Sequence, residues 1–216
     1  MIKNIIFDLG GVILNINYNK TSEEFKKLGL KNFDELYSQA QQSHIFDHLE
    51  KGLISNEKFR DEIRRISKLN ITDEQIDFAW NAMLLDLPGE RIEILINTKR
   101  NYRTFLLSNT NDIHLNAYTK NLDKQHNIKS LAELFEQEFF SHEIHLRKPD
   151  VKAFQFVINK MKLIPEETLF IDDSAQHLTG AKNAGLKTLF MDVSKGMTLT
   201  DIFINGRLKT EIESEL

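Results

Sequence analysis

An apolar run that ends in a carboxylate and then in two glycines, Ile5-Ile6-Phe7-Asp8-Leu9-Gly10-Gly11-Val12, constrains this chain more than any other segment. A short β-branched and aromatic stretch closed by turn residues reads as a buried strand that delivers one charge to its carboxyl end. In an open parallel sheet that end is where ligands bind. The competing reading makes Asp8 a turn residue that caps the loop after the strand.

Four later segments repeat the short apolar pattern: Thr104 to Leu107, Glu138 to Ser141, Thr168 to Ile171 and Thr188 to Met191. Between the later ones lie stretches of helical spacing, such as Val151 to Lys162 with Phe154, Val157, Ile158 and Met161 on one face. Gly185 stands where a helix beginning near Ser174 should stop. The alternation predicts a doubly wound, Rossmann-like α/β domain, a parallel sheet with helices on both faces.

Residues 17–87 contain no strand pattern. Amphipathic segments run from Ser22 to Leu28, Asn32 to Gln41, Ser55 to Ile66 and Thr72 to Leu84, and the last opens with the capping box Thr72-Asp73-Glu74-Gln75. Pro88 then fits the first turn of another helix. The expected organisation is therefore an α/β core built from residues 1–16 and 88–216, with an all-helical cap inserted at 17–87. The charged stretch from Gly206 to Leu216 is expected to be frayed helix or disorder.

Composition narrows the function classes. The chain has 216 residues, 41% of them hydrophobic and 28% charged, which allows one substantial core and offers no stretch of membrane-spanning length. There is no signal-peptide pattern at the start, so a cytoplasmic location is the expectation. The absence of cysteine excludes disulfides and thiolate chemistry. With a net charge of -4 and basic residues scattered singly or in pairs, no nucleic-acid partner is expected.

The later strands also end in polar residues. Ser108-Asn109-Thr110 offers a hydroxyl and backbone N–H groups where a helix begins, an arrangement that binds phosphate, although Ser108 or Thr110 could equally be a helix cap. Lys148 precedes Pro149, which holds it extended and can begin a helix, so a cation is pre-positioned. Arg147 is its neighbour and rival. Asp172 and Asp173 end another apolar strand, and adjacent carboxylates are tolerated where a cation or a lysine offsets them. Mg²⁺, which takes oxygen ligands and substrate phosphate, suits that pair.

In this order, Asp8, Ser108, Lys148 and Asp172-Asp173 resemble the motif series of the haloacid dehalogenase superfamily. The helical insertion is similar to that family's C1 cap, and Phe7 to Val12 with Ser108-Asn109 and Lys148-Pro149-Asp150 is most similar to its branch of small sugar phosphatases, which includes glucose-1-phosphate phosphatases. The resemblance implies an Mg²⁺-dependent phosphatase acting on small phosphorylated metabolites through an aspartyl-phosphate. Asp8 is its implied nucleophile, and Lys148 the cation that offsets it. Ser108, Lys148 and the Asn109 backbone are implied to hold the phosphoryl oxygens. Asp8, the Gly10 carbonyl and Asp172 are the implied metal ligands, with Asp173 water-mediated or orienting Lys148. Most phosphatases of the superfamily carry an Asp where this chain has Gly10, the proton donor to the leaving group, so good leaving groups such as anomeric sugar phosphates or acyl phosphates are expected to be preferred.

Two other readings compete. A metal-independent 2-haloacid dehalogenase would use Asp8 to attack carbon, but would be expected to carry an early cap arginine, and none precedes Arg60. A catalytically silent phosphate-binding protein is suggested by Gly10 itself. In the cap, His44, His48, Lys51, Trp80 and Asn81 are the candidates for facing the core, with Asn15 and Asn17 framing its entry.

Overall fold

The structure, a computed structural model, describes residues 1–37 and 44–216. Five strands form one parallel sheet: β1 (Asn4–Phe7), β2 (Arg103–Ser108), β3 (Gln137–Phe140), β4 (Thr168–Asp172) and β5 (Lys187–Phe190), in the order β3-β2-β1-β4-β5. The first strand is central, and the chain leaves it in one direction for β2 and β3 before returning to its other side for β4. That reversal opens a crevice at the carboxyl ends of β1 and β4.

Side chains alternate across a strand, and here both faces are apolar. Ile5 and Phe7 of β1 join Leu106, Leu169 and Ile171 in one buried cluster, while Ile6 joins Phe105, Leu107 and Phe170 in another. The helices α1 (Tyr18–Lys27), α2 (Phe33–Leu36), α3 (His44–Glu50), α4 (Asn56–Ser67) and α5 (Asp73–Asn81) fall between β1 and β2. Then α6 (Gly89–Thr98) and α7 (Asp112–His126) cover the first cluster. A short α8 (Ser141–Ile144) precedes α9 (Val151–Met161) and α10 (Ala175–Asn183), which cover the second.

Helices α1 to α5 have an aromatic core of their own, with Phe25, Phe33, Phe46, Phe59 and Trp80 all without exposure or nearly so. Phe25 stacks on Phe33 at 4.3 Å between ring centroids, and Trp80 stacks on His114 of α7 at 4.6 Å. Two extended segments tie this block to the sheet. Asn15 N–H donates to the Asp86 carbonyl (2.9 Å), Leu85 N–H returns to Asn15 (3.0 Å) and Asn17 N–H donates to Met83 (2.9 Å). Asn17 also caps α1 through its side chain, so the entry asparagines serve the backbone.

Several local expectations meet the structure directly. Ser55 caps α4 and Thr72 closes a capping box on α5 with Gln75. The helix expected over Asn32 to Gln41 forms only as α2, ending at an extended Tyr37, and its part from Ser38 onward lies outside the described residues. Pro88 and Pro149 do not begin helices: Pro88 is the cap before Gly89, and Asp150 caps α9 by accepting from Lys152 N–H (2.9 Å). The tail is ordered rather than frayed. After α11 (Leu199–Ile202), strands β6 (Phe203–Ile204) and β7 (Arg207–Leu208) form an antiparallel hairpin, followed by α12 (Thr210–Ser214). Its turn is Asn205-Gly206, both at positive φ, the dipeptide that suits the twist of two-residue hairpins. Among the described residues no helix is long and apolar enough to cross a membrane.

Candidate active site

Asp8 lies one residue past β1, where its N–H continues the ladder to Ile171 of β4 (2.9 Å). Ser108 ends β2 and Asp172 ends β4, so parallel pairing on both sides of β1 brings three strand ends to one edge. Lys148 reaches this edge from the α8–α9 connection. Its ammonium, without exposure to water, donates to Asp8 Oδ1 (2.6 Å) and Asp172 Oδ2 (2.7 Å) and sits 5.2 Å from the centroid of the Phe170 ring.

Two devices hold the lysine. Asn109 pins its backbone from both sides, Nδ2 donating to the Lys148 carbonyl (2.8 Å) while Oδ1 accepts from its N–H (2.9 Å). Gly180 of α10 supplies the second, because a β-carbon there would run into the Pro149 carbonyl and the Phe154 ring. The Asn109 side chain is thus committed to Lys148. Ser108 is not a cap: Asn111 caps α7, and Ser141 takes up the Thr110 N–H (2.9 Å).

Asp172 is heavily engaged. Besides Lys148, it accepts from Ser174 N–H on Oδ1 (2.8 Å), and the His177 Nδ1–H lies 3.0 Å from both of its oxygens. Asp173 does not orient Lys148; that role falls to Asp172 and Asp8. Its carboxylate instead lies over Gly11, where a β-carbon would overlap it, so Gly11 is obligatory both for this approach and for its φ of +80°.

The charges do not balance. Three carboxylates face one ammonium, and Asp8, Asp173 and Lys148 are all shifted upward. Burial pushes Asp173 up to about 7, with Asp8 and Asp172 adding to it. Burial also raises Asp8 against the pull of Lys148. For Asp172 burial pushes upward, but the Lys148 charge and the His177 hydrogen bond outweigh it and hold the carboxyl low. Burial opposes the Lys148 charge, yet Asp172 and Asp8 raise it above the ordinary range. A hard divalent cation with oxygen ligands fits the unbalanced edge. Asp8, Asp172 and His177 each present a donor atom within 4.8 Å of the others.

Asp8, Ser108, Asp173 and His177 line a cavity of about 80 Å³ together with Gly10, Asn109, Arg147 and residues of the helical block between β1 and β2. From the stretch between β1 and β2 expected to form the cap come Tyr18, Tyr37, Glu50, Met83 and Leu84, and none of His44, His48, Lys51, Trp80 or Asn81 lines it. Trp80 packs in the aromatic core, and Lys51 pairs with Asp47 (2.9 Å). Glu50 escaped notice in the sequence although it carries a signal: it continues the buried stripe of Phe46 and Leu49, where an acid is out of place. Arg147 and Lys148 do not compete, since Arg147 points to Glu50 (2.9 Å) and Asp47 (3.4 Å) and leaves the nucleophile to Lys148.

Fold and site together define a hydrolase built around a strand-end aspartate beside a buried lysine. The family model for haloacid dehalogenase-like hydrolases matches residues 2–185, and the chain belongs to that family. It is 31% identical to D-ribitol-5-phosphate phosphatase of Bacteroides thetaiotaomicron over 87% of this chain and 91% of that one. Among solved structures, a HAD family enzyme of B. thetaiotaomicron in complex with magnesium and inorganic phosphate is 36% identical, covers 94% of this chain and 100% of that one, and superposes with a TM-score of 0.85. A HAD-like hydrolase of Porphyromonas gingivalis is 31% identical over 88% and 91% of the two chains, with a TM-score of 0.80.

Proposed function

We propose that the chain is an Mg²⁺-dependent phosphatase of small phosphorylated sugars and polyols, acting through an aspartyl-phosphate on Asp8 beneath a cap formed by residues 17–87. The observation that carries this reading is the Lys148 bridge. With Oδ1 of Asp8 held by the ammonium, Oδ2 is the oxygen left to attack phosphorus. The names of the relatives support the activity, and a cavity of about 80 Å³ suits a small substrate.

In the first step an Asp8 Oδ2–P bond forms as the ester P–O bond breaks, and the leaving alkoxide takes its proton from water. In the second, water attacks phosphorus, releasing inorganic phosphate and the free carboxylate. Ser108 and the Asn109 backbone hold phosphoryl oxygens, and Lys148 offsets the charge that accumulates on Asp8 and the phosphoryl group. Asp8, the Gly10 carbonyl and Asp173 would hold Mg²⁺, which neutralises the carboxylates and polarises the phosphoryl group. Asp172, already engaged by Lys148, Ser174 and His177, serves chiefly as their anchor in place of the direct ligation expected of it. Position 10 has no side chain to protonate the leaving oxygen, so rates should depend steeply on the leaving group.

The test is a panel of phosphorylated sugars, polyols and aryl esters assayed with and without Mg²⁺, with Asp8→Asn as control and 2-haloacids included. Mg²⁺-dependent phosphate release lost in Asp8→Asn is the expected result. Metal-independent halide release would establish the dehalogenase reading instead. No turnover and no phosphorylated enzyme across the panel would leave only phosphate binding.

A further inference from the structure

The cavity is also lined by Tyr18, Tyr37, Glu50 and Arg147. Glu50 is 5% exposed, so its carboxylate lies where an isolated charge would be costly. Arg147 compensates it at 2.9 Å and also approaches Asp47, whose other oxygen takes the Lys51 ammonium at 2.9 Å. Two acids and two bases thus cancel around Glu50, and among the described residues both Arg147 and Lys51 are already paired with carboxylates.

The cavity lining offers other chemistry. A carboxylate has about four lone-pair positions, so Glu50 can accept more than one hydrogen bond at a time. The Tyr18 hydroxyl stays protonated, because burial and the carboxylates of Asp173, Asp8 and Glu50 push its ionisation well above the usual range. A fixed acceptor, a neutral hydroxyl and two phenol rings suit a neutral chain of hydroxyl-bearing carbons. Position along the chain strengthens the point. Arg147 and Lys148 are consecutive, so one segment holds both the partner of Asp8 and the partner of Glu50. Glu50 comes from α3 of the cap, whose following turn rests on the core: Gly52 packs on the His142 carbonyl, and the His145 Nδ1–H donates to the Lys51 carbonyl (2.8 Å).

We propose that Glu50, oriented by Arg147, reads the hydroxyl groups of the substrate's carbon chain and makes the enzyme select polyhydroxylated phosphate esters over bare alkyl esters. This rests on the phosphatase reading above. A site built to hydrogen-bond hydroxyls rejects analogues that lack them, since its buried polar groups are then left unpaired. The rival role is a plain latch between cap and core.

The experiment compares kcat and KM, with Mg²⁺ present, for a pentitol 5-phosphate and n-pentyl phosphate, which share chain length and ester type and differ in hydroxyls. Wild-type enzyme is expected to favour the pentitol ester at least 100-fold in kcat/KM. Glu50→Met, which leaves Arg147 its Asp47 partner, should lower that preference at least tenfold, mainly through KM. Glu50→Gln keeps a neutral acceptor and should lose less, and it carries the test where Glu50→Met does not fold. An unchanged preference, with both esters losing equally or neither losing, shows a latch and overturns the proposal. Equal wild-type turnover of the two esters overturns it while sparing the phosphatase reading. A wild type that hydrolyses no phosphate ester at all removes both.

Discussion

An ammonium group without exposure to water keeps its charge only where carboxylates surround it, and Lys148 has two, at 2.6 and 2.7 Å. The same crowding makes Gly10 informative. A β-carbon there meets only the tip of Ile16, 2.9 Å away, which a small side-chain shift relieves, whereas one at Gly11 would overlap Asp173. Gly10→Asp is therefore expected to fold and to raise kcat for alkyl phosphates by about 10²-fold, as a general acid does, with little change for p-nitrophenyl phosphate. A kcat that stays flat across the alkyl series would show that proton donation does not limit turnover. His114 allows a second test at this scale. Its Nε2–H donates to the Trp80 carbonyl (3.1 Å), and burial lowers its pKa to about 4 despite that bond. Between about pH 4 and the unfolded value near 6.5 the unfolded chain binds the extra proton and the folded one does not, so stability is complete above that window and falls as pH drops through it. The loss at the acid end is on the order of 3 kcal/mol. Urea titrations across pH 4 to 7 should show this limb in wild type and a flatter one in His114→Phe.

Glycine in a helix interior ordinarily costs about 1 kcal/mol relative to alanine, which would make Gly180→Ala stabilising. Here the β-carbon would collide with the Pro149 carbonyl beneath α10, and overpacking of this kind costs about 1–3 kcal/mol, so the sign reverses. Gly180→Ala is expected to lower the melting temperature and to lower kcat with it, since the displaced segment carries Lys148. Thermal melts and steady-state rates on the same preparation check both halves. At this scale the chain was readable where local chemistry acts alone. The strands, the capping box at Thr72 and the helix that starts at Ser55 follow from neighbours in sequence. The Asn205-Gly206 turn was equally local but lay in a charged tail whose composition suggested fraying, and burial of Leu208 and Phe203 against the sheet orders it. Pro149 misled because proline suits a first helical turn, while Asp150, one residue on, is the better cap.

Three carboxylates and one lysine at the edge make the stability of the whole molecule responsive to a bound cation. Saturating Mg²⁺, at about 100 times its dissociation constant, should add about 2.7 kcal/mol. For a chain of this length that corresponds to a melting temperature higher by roughly 5–10 °C. Asp173→Asn should shrink the increment, and an increment unaffected by that change would place the ion elsewhere. At the same scale the order of Asp8, Ser108, Lys148 and the acid pair was legible because each ends an apolar run or meets a proline, features that neighbours in sequence impose. Strand pairing then had to bring them together, since their separations along the chain exceed 130 residues from Asp8 to Lys148. Which acid serves the lysine depends on carboxylate directions set by Ser174, His177 and the close approach over Gly11. Glu50 and Arg147 meet only because the cap folds back onto the core. The sequence by itself determined the sheet, the helical insertion and the chemical types at the strand ends, since hydrophobic period and turn chemistry are local. Only the tertiary structure decided which charge faces which, because Coulombic pairing and burial depend on distance in space and not along the chain.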